Sequence, residues 1–303
     1  MRISTTQYHS TMSSTLQTAS SRLETIMQQM STGKKLLRPS DDPITDVRLS
    51  RLNREEAAVK QYRDNIGALK VRLRQNETSL DSMNADLQDA RDLMVWALDG
   101  SNTSEDVAAM SASLKAIGDS LFYGANAKDQ EGRYLFSGTK TATQPIAYDP
   151  TQPVGTRYSY QGNLGQQQVV VGNGVTQDVN VTVQEMAGTL NQLDQAVGLL
   201  ATPGVSVNDP ATRAQLTATL GAIDDTKAKF GSKIAHLGGM QNILETLDGN
   251  FANVSLSNQQ ALIDLGQLDY GDAVIKLNGY TEAAQATQKA YARVSQLSLF
   301  DAI

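Results

Sequence analysis

Cysteine is absent from the 303 residues, which excludes disulfides and thiolate metal sites. Histidine occurs twice, at His9 and His236. No third soft ligand is available to complete a zinc site, so each reads as a surface or packing residue. Only 5% of the residues are aromatic and 40% are hydrophobic, so the core must be thin or elongated and built on Leu, Ile, Val and Ala. Basic charge is also short. Lys and Arg number 26 against 32 Asp and Glu, and a net charge of −6 leaves no basic excess to displace counterions from a nucleic acid. No apolar stretch approaches the roughly 20 residues of a membrane span; the longest, Leu93 to Leu98, makes about one and a half helical turns. Neither nucleic acid nor membrane is therefore expected as a partner. Arg2 is followed by polar residues rather than by a continuous apolar run, which does not fit a Sec-type signal. Residues 1–21 instead hold eleven Ser or Thr and no acidic residue. That composition fits either an unstructured start or an export signal read while unfolded.

Catalytic constellations are missing as well. Gly172-Asn173-Gly174 is not followed by a helix start and does not fit a phosphate loop. No HExxH or nucleophile-elbow motif occurs. Asp41-Asp42 reads as a turn and helix cap rather than a carboxylate pair. Asp224-Asp225 falls within a helix, where adjacent side chains diverge and cannot share a substrate. Trp96, the lone tryptophan, is expected to pack near a helix end. Lys34, Lys35 and Arg38 form a small basic cluster, read as a solvated loop or as a contact for an acidic neighbour. The chain is expected to be no enzyme, with no catalytic, cofactor-binding or metal-binding residue and no cofactor.

What is present is helical periodicity. Val59, Tyr62, Ile66, Leu69, Leu73, Asn76, Leu80, Met83, Leu87, Ala90 and Met94 alternate steps of three and four, the 3.5-residue seam of a coiled coil. Asn76 is its one polar position and is expected to cost stability while fixing register. A second seam reads Leu216, Leu220, Ile223, Lys227, Phe230, Ile234, Leu237, Gln241, Leu244, Asp248 and Phe251. The two are equally long, so the helices are expected to lie side by side. The polar members of the second place it at a bundle edge. Shorter helices are expected over Val107–Leu121, opened by a capping box at Thr103 and Asp106, and over Met186–Leu200. Asp42-Pro43 and Asp209-Pro210 are expected to start the two long helices, with Asp as cap and Pro in the first turn.

Residues 134–184 change character. Tyr148, Tyr158 and Tyr160 accompany a valine-rich run broken by Gly172-Asn173-Gly174, a hairpin turn. Val179, Val181 and Val183 alternate with Asn180 and Thr182, which predicts a half-buried strand. At the two ends, Tyr8, Met12, Leu16, Ala19, Leu23, Ile26 and Met30, and Ala273, Leu277, Tyr280, Ala284, Thr287, Tyr291 and Val294, form narrow apolar stripes. Such a stripe is too thin to hold an isolated helix and wants a partner, either the other terminus or neighbouring copies.

The fold class that follows is mainly α with a small inserted β subdomain: a long antiparallel coiled-coil-like bundle with the termini forming a helical pair. Three regions are expected: 1–42 plus 270–303 as a terminal coiled-coil assembly region, 43–133 plus 185–269 as a helical bundle, and 134–184 as the β insert. On physical grounds two functions remain, a self-assembling structural subunit or a secreted adhesin or effector that uses the insert.

Met30-Ser31-Thr32-Gly33-Lys34-Lys35 followed by Pro39-Ser40-Asp41-Asp42-Pro43 resembles the N-terminal signature of the flagellin superfamily. Asp269-Tyr270-Gly271-Asp272-Ala273, continuing to Val294-Ser295-Gln296-Leu297-Ser298-Leu299-Phe300, is similar to its C-terminal helix. Within the superfamily the start Met1-Arg2-Ile3-Ser4-Thr5, the Tyr134-Leu135-Phe136-Ser137-Gly138 stretch and the Leu297-to-Phe300 ending look like the hook–filament junction branch. Leu265-Gly266-Gln267-Leu268 stands where flagellins carry an Arg-containing stretch, which argues against a filament flagellin.

The resemblance implies a structural, extracellular subunit of the flagellum, exported unfolded through the flagellar type III apparatus. It implies as partners copies of itself, the first hook-associated protein on the hook side, flagellin on the filament side, and a cytoplasmic export chaperone that holds the C-terminal helix. The residues expected to form the assembly and chaperone interface are Met12, Leu16, Leu23, Met30, Leu277, Tyr280, Tyr291, Val294, Leu297, Leu299 and Phe300.

Overall fold

The computed structural model describes the backbone of residues 2–300 and the side chains of residues 6–293. Six helices and four short strands follow one another among the described residues. They are α1 (Arg2–Thr32), α2 (Pro43–Ala97), α3 (Ser104–Ala125), β1 (Ile146–Tyr148), β2 (Tyr158–Tyr160), β3 (Gln168–Gly172), β4 (Val175–Asp178), α4 (Glu185–Leu200), α5 (Pro210–Gly266) and α6 (Tyr270–Phe300). The chain is mainly α with two small antiparallel β-sheets, and it divides into two compact units, 1–60 with 252–303, and 61–251.

The second unit, 61–251, holds almost all of the core. From Ile66 to Met94, every seam position of α2 is fully or almost fully buried, Asn76 included. Apolar residues every 3.5 positions put one continuous stripe on one face of a helix, and that stripe buries as a whole. α5 runs antiparallel beside α2. The polar pairs between them show the direction: Arg63 Nε donates to Asp248 at 2.9 Å, Gln241 to Glu77 at 2.6 Å, and Arg91 Nε to Asp224 at 2.7 Å.

The α5 seam differs from the expected one at alternate positions. Leu216, Ile223, Phe230, Leu237 and Leu244 are fully buried as expected. Between them, however, the buried residues are Thr219, Thr226 and Met240, each one position before the expected Leu220, Lys227 and Gln241. For the two threonines the reason is a second contact, with α4, and Met240 instead meets Gln177 of β4. Thr226 Oγ1 lies 2.6 Å from Thr189 Oγ1, and Thr219 Oγ1 donates to the Gln192 carbonyl at 3.2 Å, so hydroxyl-bearing residues are buried where their polar groups are satisfied. Lys227, Gln241 and Asp248 do not mark a bundle edge. They flank the seam and bond across it to α2, Lys227 through Gln88.

α3 begins with the expected capping box: the Thr103 hydroxyl accepts from Asp106 N and the Asp106 carboxylate accepts from Thr103 N. This satisfies two of the first-turn N–H groups that every helix leaves open. α3 and α4 pack together, burying Val107, Met110, Leu114 and Leu121 against Met186, Leu190, Leu193 and Leu200. Trp96 is not a packing residue. It is 58% exposed, and its carbonyl accepts from Asn102 Nδ2 at 2.7 Å and Asp99 N at 3.0 Å.

Within the insert, β1 pairs with β2 and β3 with β4. The β3–β4 hairpin turns at Asn173-Gly174, with Gly174 at φ +71°, a conformation in which a side chain would be strained. Residues 179–183 do not form the expected strand. Val179, Asn180, Val181 and Val183 are all buried, without in–out alternation. Asn180 is the cause: its Oδ1 accepts from Gln167 N at 2.8 Å and its Nδ2 donates to the Gly165 carbonyl at 3.0 Å. One side chain thus does the work of a neighbouring strand and holds this connection inside the core.

Candidate assembly surface

The first unit, 1–60 with 252–303, is organised around the antiparallel pair of α1 and α6. Among the described side chains the apolar stripe of each helix is its least exposed face. Tyr8, Met12, Leu16, Ala19, Leu23 and Met30 are half-buried and Ile26 is buried. On α6, Ala273 is buried and Leu277, Tyr280, Ala284, Thr287 and Tyr291 are half-buried. Two contacts mark the ends of the pairing. Tyr270 Oη donates to the Met30 carbonyl at 3.1 Å, and His9 Nδ1 lies 3.2 Å from Tyr291 Oη with the rings edge to face. The termini are therefore each other's partner within one chain. Of the expected interface residues, Met12, Leu16, Leu23, Met30, Leu277, Tyr280 and Tyr291 lie along this seam. Val294, Leu297, Leu299 and Phe300 lie outside the residues whose side chains the structure describes.

The two sequence signatures meet at one point. α1 stops because Gly33 takes φ +67°, the left-handed conformation that ends helices at little cost only for glycine, and its N–H still bonds back to the Gln29 carbonyl at 2.8 Å. The Tyr270 hydroxyl would lie 3.4 Å from a Cβ at that position. From there the backbone zips to the other signature: Lys35 N donates to the Gly266 carbonyl at 2.9 Å and Leu268 N to the Gly33 carbonyl at 3.0 Å. Gln29 Nε2 closes the turn on the Lys35 carbonyl at 2.7 Å. Asp41 then accepts from Leu37 N and Arg38 N, and Asp42 caps α2 through Ile44 N and Thr45 N. The Thr45 hydroxyl, at 2.6 Å, together with the Thr45 and Ile44 amides, holds the Asp42 carboxyl below the usual carboxylate range. Asp269 caps α6 in the same way, accepting from Gly271 N at 2.8 Å and Asp272 N at 3.2 Å. Lys34, Lys35 and Arg38 are exposed on this hub.

The outer surface of the unit is unusually apolar for helices of this composition. Met27, Ile44, Val47, Leu256, Ile263, Val274 and Ile275 are 49 to 73% exposed, apart from Val274 at 44%. None of these stood out in the sequence, because they lie off the seams. The heptad step from Leu256 to Ile263 was the available signal. These side chains come from α1, α2, α5 and α6, so every helix of the unit contributes exposed apolar residues. Among the described residues no group of three His, Cys, Asp or Glu side chains stands together to hold a metal ion. No described helix is long and apolar enough to cross a membrane.

Residues 3–141 match the bacterial flagellin N-terminal helical region. Flagellar hook-associated protein 3 of Escherichia coli K12 is 29% identical over 293 residues, covering 90% of each chain. The protein of that name from Salmonella typhimurium LT2 is 27% identical over 319 residues, covering 99% of each. A solved structure assigned to the flagellar hook-associated proteins of Vibrio parahaemolyticus is 36% identical, with a TM-score of 0.67 over 75% of this chain and all of the other. The chain belongs to the family of flagellar hook-associated proteins. The hub at Gly33 and Gly266 is where the flagellin-like N-terminal region meets the segment leading into α6.

Proposed function

We infer that the chain is a structural subunit of the bacterial flagellum that joins hook to filament, acting outside the cell by assembly rather than by turnover. The observation that carries this reading is the near-full-length match to hook-associated protein 3 relatives, taken together with a terminal unit whose inner stripe is paired and whose outer apolar surface is open. In this reading, the region 1–42 with 270–303 is the assembly element, and copies of the chain cover one another's Met27, Ile44, Leu256 and Ile275 surfaces. At about 25 cal/mol per Å² of apolar surface removed from water, covering several hundred Å² per copy offsets several kcal/mol of ordering cost. The first hook-associated protein lies on the hook side and flagellin on the filament side.

Export through the flagellar type III apparatus, with a cytoplasmic chaperone on α6, completes the proposal. The α6 stripe at Leu277, Tyr280 and Tyr291 would be open to water before α1 pairs with it, and a chaperone groove that takes residues at helical spacing removes that hazard. The test is complementation of a strain lacking its own hook-associated protein 3. The full chain should restore motility and give filaments attached to hooks in negative stain, while a chain ending before residue 270 should restore neither. Bare hooks with the full chain expressed and exported would overturn the assignment.

A further inference from the structure

A cavity of about 370 Å³ opens in the second unit between α3, α4 and the β1–β2 hairpin. That volume lies at the small end of the range of ligand pockets, about 300–1,000 Å³. Four of the few aromatic rings of the chain, Phe122, Tyr123, Tyr148 and Tyr158, line it. Phe122 meets Tyr158 edge-on at 5.7 Å between centroids, and Tyr148 lies 4.9 Å from Tyr158. Tyr123 and Tyr148 remain 73% and 44% exposed. Gly118 also lines the cavity and is buried, yet a Cβ built there would meet nothing within 4 Å. A glycine inside a helix costs about 0.5–1 kcal/mol relative to Ala. Here packing within the chain does not require it, and what its missing side chain leaves is open space.

The pocket is held in shape by its own hydrogen bonds. Asn191 on α4 clamps Tyr158, accepting from its N–H at 2.9 Å and donating to its carbonyl at 2.8 Å. Asn126, after α3, holds Ile146 in the same two-sided way, at 3.0 Å each. Asp194 accepts from Gly155 N at 3.0 Å and pairs with Arg157 at 3.3 Å. The hairpin is thus fastened to both helices, and the rings are pre-positioned rather than assembled on demand.

The charges decide the class of ligand. Asp194 is paired with Arg157 and Asp119 with Lys115 at 2.7 Å, so the lining is electrically balanced. Neither an anion nor a cation finds an uncompensated partner. A carboxylate beside a cationic donor presents an acceptor and a donor next to each other, which is the complement of two vicinal hydroxyls. The flat face of a tyrosine is the complement of the C–H face of a pyranose ring. We propose that this pocket binds a neutral saccharide of one or two rings, stacked on Tyr123 and Tyr148 and hydrogen-bonded by the Asp194–Arg157 and Asp119–Lys115 pairs. The proposal stands apart from the junction role and holds or fails without it.

Saturation-transfer NMR on the full chain tests it, with methyl β-glucoside, methyl β-galactoside and the N-acetylglucosamine disaccharide as probes, and with tetramethylammonium and benzoate as charged controls. At least one saccharide should bind at millimolar concentration with transfer from aromatic protons. Tyr123→Ala should weaken it about tenfold or more at an unchanged melting temperature, since that side chain is 73% exposed, and Tyr148→Ala should weaken it as much with at most a small drop in melting temperature from the lost contact with Tyr158. Gly118→Leu, which fills the space, should abolish it. Absence of transfer to all three saccharides, affinity unchanged in both tyrosine variants, or binding of a charged control in preference to the sugars would each overturn the proposal.

Discussion

The two units of this chain solve opposite problems with the same element. In 61–251 long helices meet on more than one face, and the seam of α2 is sealed from Ile66 to Met94. In 1–60 with 252–303 the helices are as regular, yet only Ile26, Val59 and Ala273 are buried apolar residues among those described. The difference is the number of partners per helix. A helix with neighbours on two sides buries its stripe and stays folded alone. A helix with one neighbour leaves half of its stripe in contact with water and retains the capacity to add another. Unit 61–251 seals its own apolar stripes, whereas the other unit leaves much of its apolar side-chain surface exposed.

Truncating the core should separate the units most sharply. Phe230→Ala and Leu73→Ala, both at fully buried positions, should destabilise unit 61–251 by about 3–5 and 2–5 kcal/mol respectively. Leu16→Ala, at a half-buried position, should cost under about 1 kcal/mol in the monomer while impairing incorporation into junctions. Denaturant melts read the first, and a motility assay reads the second. Equal losses from Leu73→Ala and Leu16→Ala would erase the distinction. Hydrogen exchange should show the same contrast amide by amide, with α1 and α6 exchanging well before the α2 seam.

Smaller effects probe the polar groups sealed inside. Thr226→Val should cost about 1 kcal/mol, because it leaves the Thr189 hydroxyl only its long 3.4 Å bond to the Glu185 carbonyl, and adding Thr189→Val should recover part of that. Asn76 is fully buried, but its single bond, to the Val179 carbonyl, is long at 3.4 Å and its Oδ1 has no partner. Asn76→Leu should therefore change stability by less than about 1 kcal/mol, because the gain in apolar burial offsets the lost bond. A melt far below the parent would show that this amide fixes the register of residues 179–183.

The smallest expected effect is on pH. Asp106 and Asp42 have carboxyls held below their ordinary value, Asp106 first by the Thr103 hydroxyl and Asp42 first by that of Thr45. A group with a lowered folded-state pKa stabilises above its unfolded value and loses that contribution as pH falls through the folded one. Melting temperature should thus drop below about pH 4, and Asp106→Asn should flatten part of that fall in unit 61–251 while leaving the Asp42 share in place.

The α2 seam was legible because its pattern is a property of one helix: eleven positions step by three and four, and burial follows them. The caps at Asp42, Thr103 and Asp209 were legible for the same local reason. α5 was half legible. Its stripe was set by two neighbours, and a threonine that satisfies its hydroxyl on α4 displaced the more apolar Leu220 from the centre. Residues 179–183 were misread because alternation of Val with Asn and Thr looks like a strand. The buried Asn180 is paid for by two backbone bonds that no pattern displays. Trp96 shows the converse, since a large apolar residue at a helix end has no obligation to be covered. Of the assembly surface, the paired stripes could be read from their period. The outer residues Ile44, Val47 and Ile275 could not, because they lie off the seams and no contact within the chain buries them.

The contact between His9 and Tyr291 joins residues 282 positions apart. A pairing so distant in sequence is slow to find, because the whole intervening chain must first be drawn together. Here the second unit shortens the search: Tyr62 and Phe251 stack at 5.5 Å, so once 61–251 has folded the effective loop is only the remainder. The terminal pair is then the last element the chain can form. It cannot close until both helices are present, so the pairing of α1 with α6 depends on the chain at both of its distant ends at once.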